Sequence, residues 1–199
     1  PMPVIDAINL QAFIWIAQEI LIGLMFGFVL QLFFQVFVIA GQIVAIQMGL
    51  GFASMIDPAN GISVPVIGQV FMILVTLLFL AMNAHLVVFE VLAESFFTLP
   101  VGGGFLVENY WEIANKLGWV LGAALLLVLP AITALLVINL AFGVMTRAAP
   151  QLNIFSIGFP LTLVLGMVIV WIGMADILAQ YQVFATEALQ FLREMAGAS

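Results

Sequence analysis

Residues 11–48 read QAFIWIAQEILIGLMFGFVLQLFFQVFVIAGQIVAIQM, a stretch with no proline and a single charge, Glu19. Strong helix formers mix there with Phe, Ile and Val, and nothing punctuates them, so the stretch predicts one long helix. At ~1.5 Å per residue it would run about 57 Å, well beyond a ~30 Å hydrocarbon core. Such a helix must tilt, break or protrude from a membrane.

The remainder of the chain has the same character. Of its 199 residues 66% are hydrophobic and 7% charged, where a soluble domain carries roughly 25% charged residues. Four windows hold no charge at all, Ile20–Ile56, Pro58–Phe89, Leu117–Thr146 and Ala148–Ala175. Each exceeds the ~20 residues that span a bilayer. The composition therefore predicts an all-α integral membrane protein in contact with lipid. Lys116, Arg147 and Arg193 are its only basic residues, too few to neutralise a phosphate backbone, which excludes nucleic acid as a partner. Without cysteine there is no disulfide framework, thiolate nucleophile or thiolate-bound metal. Pro1–Leu10 lacks the basic start of a cleavable signal, and the initial proline suggests that natural residues precede it.

Polar positions within the first helix are mostly glutamines. Gln31, Gln35 and Gln42 stand four and seven residues apart and share one face. An uncharged polar stripe belongs against protein or water, so these three either bond to neighbouring helices or line an aqueous path. Gly23 and Gly27 form a G-x-x-x-G pair on the same helix, a weak signal for close packing.

Residues 49–62 then bring turn chemistry where a spanning helix could have continued. Gly49, Gly51 and Gly61 accompany an Asp57-Pro58 step, while Leu50, Phe52, Met55, Ile56 and Ile62 keep the loop more apolar than exposed loops usually are. Irregular backbone at membrane depth is tolerated only where protein or water satisfies it, so the segment is a surface loop or a buried re-entrant one. Bulky apolar side chains between glycine hinges suit a plug that closes a constriction.

A second apolar helix is expected from about Val66 to Phe89, bearing Asn83 and the lone histidine, His85, read as a hydrogen-bonded interface residue. Glu90 and Glu94 lie one turn apart and project side by side, as a solvated edge does and a two-carboxylate catalytic site does not. Thr98 to Gly104, with Pro100 and three glycines, breaks the helix. Tyr110 and Trp111 follow in a polar stretch and read as an interfacial anchor. The runs Leu117–Thr146 and Ile154–Ala175 predict a hairpin, with Pro130 and Pro160 expected to kink its arms. Asp176 to Ser199 reads as a separate amphipathic helix.

Several motifs share one resemblance: Gln47 to Pro58 (QMGLGFASMIDP), Asn83-Ala84-His85, Phe97 to Pro100, Arg147 to Gln151 (RAAPQ) and Phe155 to Pro160 (FSIGFP). In this order they resemble the FliR family of flagellar type III export-gate subunits, over essentially the whole chain. The resemblance implies a non-enzymatic, cofactor-free subunit of a hetero-oligomeric gate in the bacterial inner membrane, within the flagellar basal body. Its implied partners are FliP, FliQ and the switch protein FlhB, with unfolded flagellar substrates in transit. It also implies a P-subunit-like part over 1–116 with the plug at about 49–62, then a Q-subunit-like hairpin and terminal helix over 117–199. On this reading Gly49, Leu50, Gly51, Phe52, Met55, Ile56, Asp57 and Pro58 form the gate. The hairpin turn of Arg147, Pro150, Gln151 and Asn153 faces the cytoplasm near the switch protein. Family members carry further hydrophobic residues ahead of the position of Pro1. The alternatives are a virulence type III export gate and a small-solute channel or transporter, for which the chain offers neither a polar pocket nor an inverted repeat.

Overall fold

The computed structural model describes residues 10–50, 66–102, 107–149 and 158–197. Five helices lie among them: α1 (Leu10–Gln47), α2 (Val66–Ala81), α3 (Ala84–Thr98), α4 (Val107–Ala148) and α5 (Phe159–Met195). The described residues contain no strand. By length and composition α1, α4 and α5 are able to cross a membrane, and the bent pair α2–α3 makes a fourth candidate. The architecture is thus the all-α membrane fold that the composition predicts.

Helix α1 covers 38 residues and stops because Gly49 adopts φ 86. Leu50 N–H donates to the Ala45 carbonyl and Gly49 N–H to that of Ile46, each at 3.0 Å. This is the double return bond that satisfies the last carbonyls of a helix, and it needs a residue free to turn left-handed. Gly49 is therefore the stop of α1 as much as the start of the following segment.

The expected second helix is two helices. Asn83 takes φ 57 between α2 and α3, and the axis bends by 68°. Asparagine tolerates the left-handed region better than other residues with a Cβ, which places the break at Asn83. Leu86 N–H donates to the Asn83 carbonyl at 3.0 Å, opening α3.

Helix α4 starts ten residues before the expected hairpin arm, at Val107, because the polar residues up to Lys116 are compatible with helix and nothing there breaks it. It also continues through Pro130, which cannot donate to the carbonyl four residues back. Pro160 lies in the first turn of α5, where the missing N–H has no intrahelical partner to lose, so it opens the helix. Likewise α5 passes Asp176 without interruption, and the expected separate terminal helix is its second half. The two arms are antiparallel. The residue numbers of Lys116 with Phe191, and of Trp119 with Glu187, add to nearly the same total as those of Ala148 and Phe159, which flank the turn.

The chain forms two compact units. One comprises residues 1–35, 77–120 and 182–199, the other 36–76 and 121–181. In the first, Ile22, Phe26 and Val29 of α1 pack with Val91 of α3, Ile113 of α4, and Phe191, Leu192 and Met195 of α5. Thr98 Oγ1 donates to the Ala196 carbonyl, and Arg193 pairs with Glu90 at 3.6 Å, so the end of α5 is tied to α3. Gly102, at φ 87, faces the indole of Trp15 so closely that an added Cβ would lie 2.7 Å from Nε1.

In the second unit Val36, Phe37, Ala40, Val44, Ala45 and Met48 of α1 are buried with Val75 of α2, Val128 and Leu135 of α4, and Tyr181 of α5. Much apolar surface is left over. In the most apolar windows of α1, α4 and α5 only 33%, 22% and 17% of residues are buried. Lipid or other protein chains must cover the rest.

Candidate functional site

At the end of α1 the helices of the second unit approach one another closely. A Cβ on Gly41 would lie 2.6 Å from the Cα of Gly68 and 2.9 Å from the Ile67 carbonyl oxygen, so α1 and α2 meet backbone to backbone. Nearly two turns further along α1, Asn139 Nδ2 of α4 donates to the Gln47 carbonyl at 3.2 Å. The Met48 side chain lies over Gly166 of α5, its Cγ 2.5 Å from where a Cβ would stand. Contacts from α2, α4 and α5 therefore converge on the last two turns of α1. None of these contact residues is ionisable, so the clamp acts by shape and by the side-chain amide of Asn139 donating to the α1 backbone.

The clamp ends where the segment expected to form the plug begins. Gly49 and Leu50 are described and close α1. Gly51, Phe52, Met55, Ile56, Asp57 and Pro58 lie outside the described residues, as do Pro150, Gln151 and Asn153 of the hairpin turn. Of that turn, Arg147 is described, and it occupies the last turn of α4, where its charge complements the helix dipole.

The glutamines differ from one another. Gln31 is exposed, while Gln35 and Gln42 are half-buried. Gln42 packs its Cγ beside Gly68 at the helix crossing. Among the described residues none of the three side chains makes a hydrogen bond within the chain. Gly23 and Gly27 lie open, with nothing within 4 Å of an added Cβ. The close glycine crossing is instead Gly41 with Gly68, which sequence reasoning missed. His85 is half-buried, and its Nδ1 is buried without a hydrogen-bond partner among the described residues, as are Oε1 of Gln18 and of Glu19. Asn83 serves the backbone bend, and its side chain forms no cap bond.

Residues 1–188 match the family described as bacterial export proteins, family 1. The chain belongs to this family. Among its members, flagellar biosynthetic protein FliR of Escherichia coli (strain K12) is 46% identical over 156 residues, 77% of this chain and 60% of the relative. The flagellar biosynthetic protein FliR of Bacillus subtilis (strain 168) is 30% identical over 166 residues, 80% of this chain and 63% of the relative. Surface presentation of antigens protein SpaR of Shigella sonnei is also 30% identical, over 157 residues, 78% of this chain and 60% of the relative. The chain thus spans about three fifths of the length of these curated relatives.

Proposed function

We propose that the chain is a core subunit of the bacterial flagellar protein export gate, resident in the inner membrane at the flagellar basal body. The match of residues 1–188 to the export family, with 46% identity to a flagellar biosynthetic protein, carries this reading. The virulence-type gate is the second reading, favoured by the 30% identity to a surface-presentation protein. Partners of the P, Q and switch classes, FliP, FliQ and FlhB, would cover the apolar faces that α1, α4 and α5 leave exposed.

On this reading the clamp at the end of α1 holds the root of the plug, residues 49–62, at a fixed place. Phe52, Met55 and Ile56 fill the channel constriction at rest, and glycines on either side let an arriving unfolded chain displace them. The fixed root of the closed state then comes from the helix crossing of Gly41 and Gly68. Hairpin-turn residues Arg147, Pro150, Gln151 and Asn153 face the cytoplasmic switch protein.

Gln31, Gln35 and Gln42 have amide groups with no hydrogen-bond partner among the described residues and are assigned to contacts with the other subunits. Changing all three to Leu leaves the partner groups unpaired at a cost of about 1–3 kcal/mol each. Co-purification of the other gate subunits with the triple variant is therefore expected to fall sharply. Intact assembly with altered export would move the glutamines to the channel wall, and wild-type behaviour in both assays would remove them from either role.

A further inference from the structure

Helix α3 gives one face to the first compact unit and leaves the other bare. Val88, Val91 and Leu92 turn inward to the core shared with α1, α4 and α5. Opposite them Leu86, Phe89, Phe96 and Phe97 are 55%, 65%, 75% and 88% exposed. At ~3.6 residues per turn these four fall within about 100° of the helix circumference. Glu90 and Glu94, both exposed, run along one margin of them, one turn apart. The four apolar side chains make an unpartnered face, and the charge beside it decides what can cover it.

Eight of the chain's ten acidic residues belong to this unit, against two of its three basic ones, Lys116 and Arg193. Both bases are engaged. The Lys116 ammonium stands 4.3 Å from the ring centre of Phe191 and 5.9 Å from that of Trp119, whose Nε1 donates to Glu187 Oε2 at 2.7 Å. Arg193 faces Glu90 at 3.6 Å through exposed side chains, a spacing and exposure at which an ion pair contributes little. The Glu94 carboxylate has no partner among the described residues. Acyl chains would cover the phenylalanines but leave both carboxylates unanswered, and anionic headgroups would be repelled by them. A second copy of this chain has no complement to offer, since Lys116, Arg147 and Arg193 are never within one turn of each other in sequence. We propose that this face of α3 docks an apolar helix of a different protein chain, one that carries two basic residues a turn apart along its edge. Its apolar side chains meet Phe89, Phe96 and Phe97, and its two cations meet Glu90 and Glu94. The face is separate from the exposed surfaces of α1, α4 and α5, and its chemistry does not depend on the export reading.

The test titrates the full chain in detergent against three fluorescent helical peptides of leucine and alanine, read by fluorescence anisotropy. They differ at two edge positions four residues apart, which hold lysine, glutamine or glutamate. The lysine peptide is expected to bind about fivefold more tightly than the glutamine peptide, as two exposed ion pairs allow, and the glutamate peptide more weakly than either. The difference should fade in ~1 M salt, where charges are screened within ~3 Å. Glu90→Gln with Glu94→Gln should bring the lysine peptide down to the glutamine peptide, and Glu94→Gln alone, which leaves the Arg193 pair in place, about halfway. Glu112→Gln removes the same charge from α4 instead and should change nothing. Phe97→Ala should weaken all three peptides several-fold, and circular dichroism confirms that each variant keeps its helix content. Equal binding of the three peptides, which apolar contact alone would give, overturns the proposal, as does no change in the folded double variant or in Phe97→Ala. An equal loss on Glu112→Gln would trace the preference to net charge and not to this face, and overturns it too. So does a dimer on a sizing column that Phe97→Ala dissociates, which would give the face to a second copy.

Discussion

A Gly41→Val chain fails to accumulate in the membrane. The added Cβ would stand 2.6 Å from the Cα of Gly68 and 2.8 Å from its nitrogen, and neither atom belongs to a side chain that could swing away. Separating α1 from α2 to make room also draws Gln47 and Met48 from α4 and α5, so the strain is not local. Overpacking of this kind costs about 1–3 kcal/mol where side chains yield and more where backbone must move, against a total stability of ~5–15 kcal/mol. Immunoblots of the membrane fraction are expected to show at least a several-fold loss, because a cost of this size raises the unfolded fraction that proteases clear. Gly23→Ala and Gly27→Ala are the controls, because open space surrounds both positions and alanine favours a helix by about 0.5–1 kcal/mol over glycine. They should accumulate at least as well as wild type. A Gly41→Val chain present at the control level would show that α1 and α2 do not meet there.

Deleting Phe52 to Ile56 in the assembled gate opens it to ions without dissolving it. Those five residues carry three of the bulky side chains assigned to the constriction, while the clamp that roots the loop, from Gly41 to Met48, is untouched. Removal of a hydrophobic barrier lets water and ions wet the path. Flux of small ions through reconstituted complexes is expected to rise by about tenfold or more over wild type, because a dewetted constriction is the main barrier to ions in such a pore. Subunit composition on a sizing column should stay the same. A deleted complex that assembles normally and remains as tight as wild type assigns the loop to packing and the barrier to other residues.

The long spans were legible because their signal is local. Thirty-eight residues from Leu10 to Gln47 form one helix where no proline, no paired turn residues and a single charge stood in the way. Gly49 marked its end for the same reason. The bend at Asn83 was not legible, since Met82-Asn83 contains neither glycine nor proline, and asparagine permits a left-handed turn without requiring one. Continuity was misread in the other direction at Val107 and at Asp176. A fall in hydropathy there suggested boundaries, yet no residue at either place opposes helix, and the backbone ran on. Proline needed its position as well as its identity: Pro130 is interior and Pro160 lies in a first turn.

Within the candidate site, the sequence pointed to glycine as the residue of close approach but chose the wrong pair. Gly23 and Gly27 match a spacing rule, whereas Gly41 and Gly68 sit on different helices 27 positions apart, and no spacing within one helix encodes that meeting. The cluster at Lys116 was equally hidden. Lys116, Trp119, Glu187 and Phe191 come together only through the antiparallel register of α4 and α5. Gln31, Gln35 and Gln42 were legible as a polar stripe, and their lack of partners among the described residues is consistent with a role between subunits.

Export itself is the most direct measurement of the central claim. In a flagellated bacterium whose own copy of this gene is disrupted, hook and filament proteins should vanish from the culture medium while remaining in the cells, and reintroducing the gene should restore them. Normal release of hook and filament proteins from the disrupted strain would contradict the assignment of this chain to the flagellar export gate.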